Sequence, residues 1–187
     1  MVYSCGDKYE GEWAQDVREG QGTLWKALRG GRFRVQYHGQ WRDDRPEGRG
    51  VFYDDAGDRY EGEWRDGLRH GRGRQEAGGR PGDGHGADVY VGEWAFGKRC
   101  GRGTLMLANG DVYEGHWDSY VKHGKGSFFY TQKGKRYDGV WKDGSPVSGA
   151  LSDMAPDAPS DEPPLPTLEL VDPDGVLAQA QRDGQPE

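Results

Sequence analysis

Large aromatic residues alternate with small or polar ones in a fixed phase along most of the chain. The pattern Tyr-x-Gly-x-Trp occurs six times, opening at Tyr9, Tyr37, Tyr60, Tyr90, Tyr113 and Tyr137 and closing at Trp13, Trp41, Trp64, Trp94, Trp117 and Trp141. Strand residues i, i+2 and i+4 share a face. Each motif therefore sets Tyr, Gly and Trp on one side and residues such as Glu10 and Glu12 on the other. Eleven residues after each of the first five tyrosines stands Gly-x-Gly, from Gly20/Gly22 to Gly124/Gly126. At the same offset after Tyr137 the chain reads Ser148-Gly149-Ala150. Each unit thus predicts a hairpin. Glycine weakens a strand, so its recurrence between two rings predicts that a ring from the neighbouring hairpin lies flat over it. Burying one such ring returns at most about 4–6 kcal/mol, while ordering each residue costs about 1.5 kcal/mol. A lone unit should not fold, so neighbours must share rings and backbone bonds. The predicted fold is all-β: an elongated, twisted, antiparallel single-layer sheet of successive β-hairpins, with no α-helix before residue 150.

The spacing between units varies. Turn signals such as Ala56-Gly57-Asp58 and Asn109-Gly110-Asp111 close the short units, and Cys5-Gly6-Asp7 stands at the same distance before Tyr9. The start of the chain reads as the closing half of a hairpin. Trp25–Gln36 and Arg74–Val89 read as insertions, the second a polar, glycine-rich loop. The pattern assigns residues 1–149 to the repeat array. Residues 150–167 form an acidic, proline-rich linker and 168–187 a C-terminal docking segment. In that segment Asp172, Pro173 and Asp174 suit the start of a short helix. Leu168, Leu170, Val171, Val176 and Leu177 supply its apolar contacts.

Composition agrees with a thin sheet. Hydrophobic residues are 33% of the chain, with 33 glycines, which leaves no deep aliphatic core. The net charge of −7 is concentrated at the end: residues 150–187 hold nine acids against one base, Arg182. The body is near neutral, which argues against a nucleic-acid partner. Two cysteines, Cys5 and Cys100, cannot supply a four-ligand zinc site. The first residues lack an apolar signal core, and no apolar run is long enough to span a bilayer as a helix. A cytoplasmic protein is expected.

The catalytic readings are weak. Glu10, Glu12, Glu61, Glu63, Glu93 and Glu114 recur on a repeated strand, which reads as a solvated face. His70, Cys100 and His123 fill equivalent slots in different units and do not converge as a ligand set. No phosphate-binding loop, nucleophile elbow, zinc motif or calcium loop occurs. Catalytic residues, cofactor and metal are all expected to be none. One charged feature does repeat. Arg45, Arg49, Arg69, Arg72, Lys98, Arg99, Arg102, Lys122 and Lys125 fall near the hairpin turns, which predicts a basic edge.

Tyr60–Gly73 (YEGEWRDGLRHGRG) and Tyr113–Gly126 (YEGHWDSYVKHGKG) resemble the MORN (membrane occupation and recognition nexus) repeat family over about residues 1–149. The stretch Leu168–Ala180 (LELVDPDGVLAQA) resembles the end of a member of that family associated with sperm and motile cilia. The resemblance implies a non-catalytic scaffold that binds other proteins through an aromatic groove lined by the signature Tyr and Trp rings. Its partners would be ciliary or axonemal proteins, tubulin or other MORN proteins, in the cilium or flagellum. A second implication is a peripheral module whose basic edge meets anionic phospholipid. Against it, the sequence shows no exposed apolar loop for insertion.

Overall fold

The fold, taken from a computed structural model, is described for residues 1–78 and 86–154. It is one open antiparallel sheet whose spatial order follows the chain, β1 to β12. The strands are β1 (Lys8–Ala14), β2 (Val17–Ala27), β3 (Phe33–Arg42), β4 (Arg45–Tyr53), β5 (Arg59–Arg65), β6 (Leu68–Ala77), β7 (Asp88–Ala95), β8 (Lys98–Met106), β9 (Val112–Asp118), β10 (Val121–Tyr130), β11 (Lys135–Lys142) and β12 (Ser145–Asp153). A single 3₁₀ turn, Thr131–Lys133, is the one helical element among the described residues. Before β1, Val2 forms an isolated antiparallel bridge with Lys8.

Each hairpin closes on a two-residue turn with both φ angles positive, as in Asp66-Gly67 (49° and 78°) and Asp143-Gly144 (49° and 84°). That turn type matches the right-handed twist of paired strands. The turns are also joined to one another. The Gly67 amide donates to the Pro46 carbonyl, Gly97 to Arg69 and Gly144 to Lys122.

The core is a ladder of rings on one face. Each tyrosine lies over the glycines of its own hairpin, not of its neighbour as expected. A Cβ on Gly73 would come within 2.6 Å of the Tyr60 ring, and one on Gly62 within 2.7 Å of the Tyr60 hydroxyl. The neighbour contributes its tryptophan. Trp94 meets Tyr60 edge-on at 5.1 Å, and its indole donates to the Gly73 carbonyl at 3.3 Å. The same pair recurs at Tyr9–Trp41, Tyr37–Trp64, Tyr90–Trp117 and Tyr113–Trp141. Each tyrosine also meets its own tryptophan, as Tyr60 meets Trp64 at 5.2 Å. An edge-on pair adds about 0.5–1.5 kcal/mol beyond its buried area. The indole bond adds about 1 kcal/mol.

Between Gly62 and Glu63 the register with β6 jumps from Gly73 to His70, so Gly71 and Arg72 bulge outward. Gly71 takes φ of 56°, a left-handed value that suits glycine. The bulged Arg72 amide has no strand partner on that side, and the Glu63 carboxylate accepts it at 3.0 Å. Glu12 and Gln40 do the same for Gln21 and Arg49. Glu12 and Glu63 belong to the glutamates that the sequence assigns to a solvated face, and here they also hold a bulge amide. Glu61 departs further: it is buried and paired with Arg59.

Other boundaries shift. The first insertion lengthens its strands, pairing Trp25 with Val35 and Ala27 with Phe33. Within the second, Arg74–Ala77 belong to β6 and Asp88–Val89 to β7, and residues 79–85 lie outside the described residues. β12 runs to Asp153, so Ala150–Asp153 are strand and not linker. From residue 155 onward the expected linker and docking segment, including the helix expected there, lie outside the described residues.

Two expected outcomes follow. Gly62→Val should cost about 3 kcal/mol, since the Cβ position already lies 2.5 Å from the Gly73 Cα and 2.6 Å from the Arg72 carbonyl. Glu63→Ala, which strands one bulge amide, should cost about 1–2 kcal/mol. Urea denaturation of both variants ranks them, and equal losses would contradict the ring-on-glycine packing. The second outcome is alkaline. Burial pushes Tyr9 and Tyr113 up to about 12 and raises Tyr37, Tyr60 and Tyr90 in the same direction. A raised folded value means that the unfolded chain ionises first. This stability is complete below the ordinary value of 10.0 and is lost as pH rises through the folded values. Tyrosinate absorbance followed with circular dichroism should show these rings ionising together with loss of the sheet. Titration of all 10 tyrosines near pH 10 with the sheet intact would contradict this.

Candidate functional site

The expected aromatic groove is filled by its own rings. Tyr9, Tyr37, Tyr60, Tyr90 and Tyr113 are buried, as are Trp41, Trp64, Trp94, Trp117 and Trp141. Only the ends of the ladder open: Trp13 is 39% exposed and Tyr137 is partly exposed. Most of these residues are therefore core and present no free ring to a partner.

The expected basic edge divides three ways, because successive strand residues face opposite sides. Arg69, Arg99 and Lys122 lie on the aromatic face, each roofing the notch between a tyrosine and the next tryptophan. Arg69 stands 5.0 Å from the Tyr60 ring centre and 5.4 Å from that of Trp94. Arg99 stands 4.6 Å from Tyr90, and Lys122 4.9 Å from Trp141. Arg18, which the sequence reading left out, does the same 4.1 Å above Trp41. Its signal was the same offset of nine residues after the tyrosine. Each such stacked cation is worth about 0.5–2 kcal/mol. Burial lowers the Arg99 and Lys122 values, which marks these as packed groups. Arg49, Arg72, Arg102 and Lys125 sit between the paired glycines and point to the opposite face, exposed. There Arg49 lies across from Glu63 and Arg72 across from Glu93, so acids temper the first two. Arg45 and Lys98 remain at the turns, where Arg45 pairs with Asp66 at 3.7 Å.

The turn edge holds something the sequence reading missed. Phe96 opens its turn at φ of 49° and is 76% exposed, and Tyr120 closes the next turn at φ of 75° and is also exposed. Left-handed backbone costs a residue other than Gly, Asn or Asp about 1–2 kcal/mol. Leu68 and Val121 are exposed beside them. The tips touch: the Tyr120 hydroxyl donates to the Gly97 carbonyl, and the His70 and Phe96 rings lie 6.0 Å apart. Leu68, Phe96 and Tyr120 are thus exposed apolar side chains at three successive hairpin turns, Phe96 on the side of His70 and Tyr120 on the aromatic side, 6.2 Å from the Trp94 ring. The expectation that no apolar loop stands exposed is corrected here. The available signal was Phe96-Gly97 and Ser119-Tyr120 standing where Asp66-Gly67 and Asp143-Gly144 set the turn pattern.

Candidate chemistry elsewhere is tied up in structure. His38 is partly buried with its Nδ1 2.8 Å from the Thr23 hydroxyl, and burial lowers its value. Burial raises the Cys100 thiol, which makes it a poor nucleophile. No group of three His, Cys, Asp or Glu among the described residues is placed to hold a metal ion. The docking residues Leu168, Leu170, Val171, Val176 and Leu177 lie outside the described residues.

The family model of the MORN repeat matches residues 9–27, 37–59, 60–76, 90–112 and 113–135. The sixth hairpin, β11–β12, lies beyond those matches yet keeps the same glycine pairing, Gly139 with Gly149. MORN repeat-containing protein 3 of Xenopus laevis is 41% identical over 59 residues, covering 30% of this chain and 25% of that protein. The Bos taurus protein of the same name is 39% identical over 62 residues, covering 32% and 26%. The Homo sapiens protein is 38% identical over 58 residues, covering 29% and 24%. The chain thus spans about a quarter of the length of the relatives it matches.

The exposed turn generates its own prediction. Phe96→Asn should raise stability by about 1 kcal/mol, since asparagine tolerates the left-handed backbone and phenylalanine gains little there from packing. Thermal melts decide this, and a lowered melting temperature would mean that Phe96 is packed.

Proposed function

Because this chain belongs to the MORN-repeat family, we propose that it is a non-catalytic scaffold that binds other proteins, and that it serves in the motile cilium or sperm flagellum. The observation that carries the scaffold reading is the exposure of Leu68, Phe96 and Tyr120 at three successive hairpin turns of a sheet whose own rings are spent in packing. Two of those side chains are held out from strained turns. Strain of this kind persists where the surrounding structure enforces it, and it clusters at functional positions. Three successive hairpins joined tip to tip offer a rigid surface, which lowers the entropy a partner must lose on binding. Support for the ciliary setting comes from the relatives named MORN repeat-containing protein 3 and from the resemblance of Leu168–Ala180 to a cilium-associated member of the family. The axonemal partners, tubulin included, belong to that reading.

A second reading has one specific support. Phe96 stands exposed two residues before the exposed Lys98, an apolar tip beside a cation that suits an anionic phospholipid surface. The acidic tail opposes it.

Affinity capture from ciliated cells separates the two. The full chain should recover axonemal proteins, and Leu68→Asp with Phe96→Asp should reduce that recovery by about tenfold. Neither change touches the buried ladder, and aspartate suits the left-handed backbone at position 96, so the melting temperature should not fall. Sedimentation with phosphatidylserine vesicles that is lost in the same variant, with no protein recovered by either chain, would favour the lipid reading and sink the first.

A further inference from the structure

Five junctions between hairpins are built alike. At each, the earlier tyrosine takes a tryptophan edge from its own strand and a second from the next hairpin. The second indole donates to the carbonyl of the earlier hairpin's paired glycine, as Trp41 does to Gly22 and Trp141 to Gly126, at 3.1 and 3.2 Å. β12 carries the receiving half of another such junction. Tyr137 meets Trp141 at 5.7 Å and no second tryptophan among the described residues. Gly149 lies beneath it, where a Cβ would stand 2.6 Å from the Tyr137 hydroxyl, in the place that Gly126 holds one hairpin earlier. Leu151 is 60% exposed, whereas Leu105 and Phe128 at the same position are buried, Phe128 beside the Trp141 ring of the next hairpin. Nothing in β12 bars another strand. Pro146 holds the place of Pro46, and β4 pairs with both β3 and β5 despite it.

We propose that β12 is a docking edge for a Tyr-x-Gly-x-Trp strand of another polypeptide. That strand extends the sheet, sets its indole against Tyr137 and donates to the Gly149 carbonyl. This names the partner surface of the scaffold reading and rests on it. The occupant follows from continuity with the five existing junctions, which specify its chemistry: an antiparallel strand that delivers a tryptophan two residues after a glycine. Residues 155–187 contain no Trp, Tyr or Phe and cannot supply the ring. A second copy fits less well. Its exposed tryptophan, Trp13, lies on β1, whose outer edge is taken at its start, where the Met1 amine donates to the Tyr9 carbonyl and Val2 bridges Lys8. The partner is therefore a different chain with MORN-type strands.

The test uses the full chain and a fluorescein-labelled peptide copying residues 111–128, which carries one such strand and its turn. Anisotropy should show saturable binding, and hydrogen exchange should slow in β12 alone. Trp117→Ala in the peptide, and separately Leu151→Asp in the chain, should each weaken binding by about tenfold. Leu151 is exposed, so its variant should melt as the parent does. Absent binding, binding indifferent to either change, or protection in strands other than β12 would overturn the proposal. So would binding that requires removal of residues 155–187, because the edge would then belong to the tail. Any of these failures leaves the scaffold reading standing if the parent chain still recovers axonemal proteins through Leu68 and Phe96.

Discussion

The sheet depends on one arrangement: a tyrosine laid flat on two facing glycines and held from each side by a tryptophan edge. Without the glycines the ring would stand off the backbone, and the next indole could not reach its carbonyl. Without the second tryptophan the tyrosine would be open to water, as Tyr137 partly is. A single layer has no opposing sheet to cover its apolar face. Here the cover comes from the side chains themselves. Rings fill the surface and guanidinium or ammonium groups from Arg18, Arg69, Arg99 and Lys122 roof the gaps.

The periodic part of this was legible. Strand identity, pairing order and the single aromatic face all follow from Tyr, Gly and Trp at spacing two with a second glycine pair at a fixed offset. The owner of the ring over each glycine was not, because both hairpins present the same residues and only the register separates them. That register turns on a bulge at Gly71-Arg72, and the bulge needs a side-chain acceptor, Glu63, that looks like any solvated acid in the sequence. The basic residues misled for a related reason. Arg69 and Arg72 are close in sequence, yet the bulge and the alternation of faces put one over the rings and the other on the far side.

The turns show where local preference has been set aside. Asp-Gly at 66–67 and 143–144 satisfies the backbone at no cost. Phe96 and Tyr120 take the same backbone against their preference, and they do so in adjacent hairpins beside Leu68. Packing within the chain explains Tyr120, through its bond to the Gly97 carbonyl and its edge-on contact with Trp94. It does not explain Phe96, whose ring is largely in solvent. The docking role proposed above would account for both the position and the conformation.

The order of the strands also determines how the molecule carries load. Strands lie across the array, so the hydrogen bonds between them run along its length. A pull between the two ends acts on those bonds in series, and each seam bears the full tension. The indole-to-carbonyl bonds and ring pairs cross the same seams and act as parallel reinforcement at every junction between hairpins. Under force the array should yield at its weakest seam and lengthen by a hairpin at a time, keeping the remainder folded. Such an array would behave as a stepwise extensible strut, with its reach set by how many hairpins have opened.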